Sequence, residues 1–135
     1  MRTLNRFVVV LAALALVTCA VARAGCPMQR YDRVVLYGTT DDPDVLVWDS
    51  RLRMRGYEDG SFDEMNALLP HAHLTPPGTR AVVQTCVSSY VQPAYLKSPD
   101  DAVGVLILTG PLRGLYGWVL GSDIRAIIHT VRKKR

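Results

Sequence analysis

The stretch Gly110-Pro111-Leu112-Arg113-Gly114-Leu115-Tyr116-Gly117-Trp118-Val119 decides how this chain folds. An apolar run from Ala102 to Leu108 precedes it, and the turn-like Gly121-Ser122-Asp123 follows. Two strand-like segments, 102–109 and 115–120, are thus joined by a turn rich in Gly and Pro. Gly110, Gly114 and Gly117 admit positive φ or a close approach of backbones. Pro111 presets one turn dihedral and donates no hydrogen bond. Trp118 sits between Gly117 and Val119, where a large ring can be buried while its N–H finds an acceptor, so it is assigned to the core. The stretch reads as a hairpin and carries shape rather than chemistry.

Working outward, Tyr31 to Tyr37 reads as a first strand and 39–44 as a polar loop broken by Pro43 and its Asp residues. Val45 to Trp48 reads as a short strand or a lead into a helix. Asp49 or Ser50 caps a helical turn over 51–55, with Gly56 as its stop. Ser61 and Glu64 form a capping box, which satisfies backbone N–H groups that a first helical turn leaves unpaired. Phe62, Met65, Leu68 and Leu69 then share one face as expected core contacts, and Pro70 ends the helix at 62–69. The segment between Pro70 and Pro76 reads as a surface loop. Beyond Pro76-Pro77-Gly78, the Val- and Thr-rich residues 79–89 read as a strand. Residues 92–101 form a loop, 122–125 one helical turn, and 126–131 a closing strand.

Gly78-Thr79-Arg80-Ala81-Val82-Val83 resembles the opening strand of a bacterial SH3-like (SH3b) domain. Leu108-Thr109-Gly110, Gly114-Leu115-Tyr116 and Gly117-Trp118-Val119 are similar to that family's central strands. Ser122-Asp123-Ile124 stands where the family has a helical turn. The resemblance runs from Pro77 to Ile128. It implies a mainly β fold: a small SH3-like barrel over 25–131, with a helical insertion near 49–69. It also implies binding to peptide or cell-wall ligands. The acidic, tyrosine-rich opening and the paired tryptophans of eukaryotic SH3 domains are missing, so no ligand residue carries over from the family.

The first 24 residues read as a signal peptide. Arg2 and Arg6 give a positive start, 7–17 is unbroken and apolar, and Ala22-Arg23-Ala24 offers a cleavage site. The run is short for a membrane span, which takes about 20 apolar residues. Leu16-Val17-Thr18-Cys19 resembles a lipobox, but Thr18 fits it poorly, and cleavage after Ala24 is the better reading. The mature chain is then periplasmic or secreted, with no stable membrane span. Its two cysteines, Cys26 and Cys86, allow one intramolecular bridge in an oxidising compartment; the alternative is a free thiol.

Removing the leader leaves 13 basic against 12 acidic residues, and without Arg132, Lys133, Lys134 and Arg135 the balance is 9 against 12. Residues 132–135 read as a disordered basic tail, because blocks of like charge stay solvated. The remaining chain is acidic, which argues against a nucleic-acid binder, whose positive charge lies on a folded face.

Candidate chemistry is sparse. His71 and His73 stand two apart and can share a face, but a metal site needs further ligands that nothing nearby fixes. Asp41, Asp42 and Asp44 lack the Gly and distal Glu of a calcium loop. No Gly-x-Ser-x-Gly elbow and no phosphate loop is present. The expectation is a non-enzymatic module without metal or cofactor that binds an envelope protein, a peptide or peptidoglycan. Its contact residues are drawn from Tyr37, Tyr57, Tyr90, Tyr95, Arg113 and Tyr116, since aromatics and Arg dominate binding hot spots. The alternative is a small metal-dependent or hydrolytic enzyme using His71, His73 or His129.

Overall fold

The structure, a computed structural model, describes residues 25–129. The leader at 1–24 and the tail at 132–135 lie outside the described residues, as does the end of the expected closing strand. Seven antiparallel strands form one sheet, curled into a half-barrel. They are β1 (Arg33–Leu36), β2 (Val45–Trp48), β3 (Ala72–Thr75), β4 (Thr79–Val91), β5 (Asp100–Ile107), β6 (Tyr116–Leu120) and β7 (Ile124–Ile128), in the spatial order β3-β2-β6-β5-β4-β1-β7. Two short helices, α1 (Arg51–Asp59) and α2 (Phe62–Leu68), are inserted between β2 and β3.

The opening decapeptide joins β5 to β6, whose register runs from Ala102 opposite Leu120 to Leu106 opposite Tyr116. Gly110 and Gly114 hold φ at +79° and +89°, a region L side chains rarely enter, so these two glycines make the loop possible. The loop closes with Gly114 N–H donating to Ile107 C=O at 2.9 Å. β4 is the longest strand. It lies between β5 and β1, and its register against β5 shifts after Val83 and again after Val87. A disulfide between Cys26 and Cys86 ties the first described residues to the middle of β4.

Two apolar clusters fill the molecule. The larger lies inside the curl and includes Val34, Leu36, Val47, Val83, Val105 and Val119. The smaller lies between the sheet and α1 and comprises Trp48, Met54, Val91, Ala102 and Leu120. Trp48 and Trp118 face each other across β2 and β6. Trp48, at 1% exposure, is the fully buried tryptophan. Trp118, assigned to the core from sequence, is half-buried beside the smaller cluster, with the Arg51 guanidinium 5.7 Å from its ring centre.

Three further expectations differ from the fold. α1 does not stop at Gly56: capped by Ser50, it runs on to Asp59. Gly56 has a packing role instead, because a Cβ there would meet the Leu68 side chain of α2 at 2.9 Å. The segment after Pro70 is not a loop throughout; a 3-10 turn over Leu69–His71 leads into β3, which pairs with β2. The apolar face of α2 reaches the core only in part, through half-buried Leu68 packed against the smaller cluster. The capping box forms as the sequence indicates, but no residue of α2 is buried and Phe62 is 75% exposed.

Candidate functional site

A cleft of about 570 Å³ opens between α1, α2, β2, the 38–44 loop and the turn that follows β6. Its apolar walls include Leu46, Trp48, Tyr57, Leu69, Leu74 and Leu120, and Tyr95 stands at the side. Acidic residues converge on this surface: Glu58 from the last turn of α1, Asp123 from the 3-10 turn over Gly121–Asp123, and Asp42 and Asp44 from the loop.

Backbone hydrogen bonds fix each contributor. Gly38 N–H donates to Pro43 C=O and Thr39 N–H to Asp42 C=O, both at 2.8 Å, and Asp42 N–H donates to Thr39 Oγ1 at 3.0 Å. The loop is therefore a closed, self-bonded structure. Asp123 C=O accepts the Tyr37 N–H at 2.8 Å, anchoring the turn to the end of β1. Arg125 donates to Ser122 C=O and Gly38 C=O, joining turn and loop. Behind the turn, Asp100 is buried and both its carboxylate oxygens accept the Ser122 N–H at 3.2 Å.

The electrostatics follow from this packing. Burial, and then the nearby charges of Asp123, Asp100 and Asp59, push the Glu58 carboxyl up to about 7. Burial, and then Asp100, push Asp123 up to about 7 as well, with Asp42 adding to the rise and Arg125 opposing it. Desolvation, followed by Glu58, Asp123 and Asp100, raises the Tyr95 phenol, whose side chain is hydrogen-bonded to Ser122. The Tyr57 phenol is raised by burial and by Glu58. Two carboxyls half-protonated at neutral pH in an apolar cleft can donate and accept hydrogen bonds, and they gain from any cation placed between them.

The residues expected to form a tyrosine patch are divided. Tyr57 and Tyr95 line the cleft. Tyr37 is half-buried, with the Arg125 guanidinium 5.9 Å from its ring. Tyr90 is half-buried under Arg51 and Arg55, at 5.3 and 4.8 Å. Tyr116 is exposed at the loop end of β6, four residues and roughly 13 Å along the strand from the cleft residue Leu120, and Arg113 is exposed in the loop before it. The histidines do not converge. His71 Nδ1 lies 3.3 Å from Asp49 Oδ2 and His73 is exposed on β3, whereas His129 bonds the buried Asp32 at 2.8 Å beyond β7. Among the described residues, the histidines join no group of three metal-ligating side chains.

Sequence reasoning missed Glu58, Asp123 and Trp48. A helix stopped at Gly56 leaves Glu58 in a loop. Asp123 was visible only as part of a turn, and nothing in the local sequence brings Asp100 behind it. The chain matches no protein-family model, no curated protein and no solved structure.

Proposed function

We propose that this protein is an exported SH3-like binding module of the cell envelope, periplasmic or secreted, that takes a cationic group of a peptide, cell-wall or protein partner into its cleft. The reading rests on one observation: aromatic and aliphatic walls that converge on Glu58 and Asp123. Both carboxyls are raised by burial, so an ammonium or guanidinium between them converts a desolvation penalty into an attraction. The antiparallel half-barrel, with Gly117-Trp118-Val119 in β6, supports the SH3-like assignment. The Cys26–Cys86 bridge supports export, since disulfides persist outside the cytoplasm.

The reading is tested by titrating the isotope-labelled protein with a lysine-bearing peptide and, separately, with soluble peptidoglycan fragments. Backbone amide shifts at Thr39, Glu58, Tyr95 and Asp123 are expected with at least one probe. Unmoved cleft signals with both would overturn the proposal.

A further inference from the structure

We propose that the open edge of β3 is a strand-addition site: an extended peptide pairs with β3 as an eighth strand and delivers a lysine or arginine side chain into the neighbouring cleft. This inference rests on the binding reading above and adds to it how the ligand is held.

The two edges of the sheet are β3 and β7. They differ in how ready they are to pair. β7 carries Arg125, engaged with two backbone carbonyls, and its register with β1 is broken between Val35 and Leu36. β3 reads Ala72-His73-Leu74-Thr75 and keeps an unbroken register with β2. Native edges are blunted by short length, lysine, proline or a bulge; β3 is only four residues long, but it carries no lysine, proline or bulge within its span.

The phase of the ladder shows which peptide groups face outward. Asp49 N–H donates to His71 C=O at 3.2 Å, so Asp49 and His71 form a hydrogen-bonded pair. Bonded and non-bonded pairs alternate in an antiparallel ladder. His73 and Thr75 therefore bond to β2, while Ala72 and Leu74 turn their backbone groups to the open side. Ala72 N–H is taken by Leu69 C=O. Ala72 C=O, Leu74 N–H and Leu74 C=O have no backbone partner among the described residues. Leu74 is 63% exposed, so nothing among those residues covers the edge at this point.

The same residue ties the edge to the cleft. Leu74 is opposite Leu46 in the register, and both line the cleft that holds Glu58 and Asp123. A strand laid on β3 would run about 4.8 Å from it and send alternate side chains to the cleft face. An apolar side chain would rest on Leu74. A basic one two residues along would meet acidic walls, in a described chain whose balance is 9 basic against 12 acidic residues. Backbone pairing would supply affinity and the acidic cleft selectivity, the division of labour known for strand-addition recognition.

The probe is an acetylated, amidated hexapeptide of alternating valine and threonine with one central lysine. Two relatives accompany it, one with glutamate for lysine and one N-methylated on the amides that would face β3. Calorimetry on the purified protein should show the lysine peptide binding, with the N-methylated and glutamate versions each weaker by about 10-fold or more. Leu74→Pro removes the outward N–H without touching the β2 ladder, as proline does when confined to an edge. It should weaken the lysine peptide by a similar factor with an unchanged melting temperature. If Leu74→Pro unfolds the protein, the N-methylated peptide decides alone. Equal binding of the methylated and unmethylated peptides, with loss in Glu58→Gln, would overturn strand addition while leaving the cleft reading in place. A concentration-dependent dimer that Leu74→Pro dissociates would overturn it in favour of a second copy on this edge. No binding of any peptide would also overturn it, and peptidoglycan fragments that still shift the cleft signals would keep the cleft reading standing.

Discussion

α1 and α2 are separated only by Gly60 and Ser61, yet they are held in different ways. α1 buries Met54 completely against the cluster of Trp48, Val91 and Leu120. α2 buries none of its residues fully and is held by Leu68, half-buried against that same cluster and beside Gly56, with Met65 and the adjoining Leu69 at the cleft. α2 is a helix because of its ends: Ser61 and Glu64 satisfy each other's backbone N–H groups at 3.5 and 2.9 Å. A seven-residue helix is marginal on propensity alone. One wall of the cleft is thus held by a fully buried side chain and the other by a cap and one half-buried leucine, a rigid face and a more adjustable one.

The comparison breaks most visibly where packing and covalent closure act. Replacing both Cys26 and Cys86 by serine reopens a loop spanning 60 residues and should cost about 4 kcal/mol on the chain-entropy model. Trp48→Ala should cost about 3–5 kcal/mol, the usual figure for a fully buried aromatic. Trp118→Ala should cost only about 1–2 kcal/mol, because its ring is half-exposed and already shielded by Arg51. Urea unfolding of the three variants tests the order. If Trp118 proves costlier than Trp48, the division between the rigid wall and its outer surface is wrong.

The next effect is on pH. Glu58 and Asp123 ordinarily titrate near 4.5 and 3.8, but both are pushed up to about 7 in the folded protein. Between about pH 4 and 7 the folded state therefore holds protons that the unfolded chain has released. Stability from these two groups is greatest at the acidic end of that window, falls as pH rises through it, and is level above about 7. Melting temperatures at pH 5 and pH 8 should differ by several degrees in that direction. Glu58→Gln should flatten much of the slope. A slope of the opposite sign, or one unchanged in Glu58→Gln, would mean the cleft carboxyls are better solvated than their packing implies. The proposed function predicts the reverse dependence for binding: a cationic peptide should bind more tightly above pH 7, where both acids are ionised.

A smaller effect separates the two helices directly. Ser61→Ala removes one half of the capping box, typically worth about 1 kcal/mol. Because α2 contributes no buried residue, this loss should appear as faster amide exchange at Met65 and Leu68 with little change in the global unfolding midpoint. The matching change at the other helix, Ser50→Ala, should move the global midpoint, since Ser50 accepts from Leu52 N–H at 3.2 Å in a helix anchored by Met54.

Local signals in the sequence were read correctly wherever local chemistry decides the outcome. The hairpin glycines, the Ser61–Glu64 box and the Ser122-Asp123 turn all lie where their residue types require. Reading failed where a distant partner decides. Gly56 has the look of a helix stop, and only Leu68 across the helical hairpin explains it as a contact. β3 follows a proline and carries two polar residues, and only its pairing with β2 makes it a strand. Glu58 and Asp123 lie 65 positions apart, so no spacing rule could bring them to one cleft.

The smallest expected effect is also the most direct check on α2. At helical spacing, Phe62 heads an apolar face with Met65, Leu68 and Leu69, and burying a phenylalanine ordinarily contributes about 1.5–3 kcal/mol. In the fold it is 75% exposed, the most open of the large apolar side chains among the described residues. Phe62→Ser should therefore change stability by less than about 0.5 kcal/mol, as substitutions at open surface sites do. A loss of several times that would show that α2 packs more closely than its exposure indicates, and the cleft would then have two rigid walls. If stability is unchanged but the lysine peptide binds more weakly, Phe62 is part of the adjustable wall, extending the apolar lip formed by Met65 and Leu69 toward the ligand.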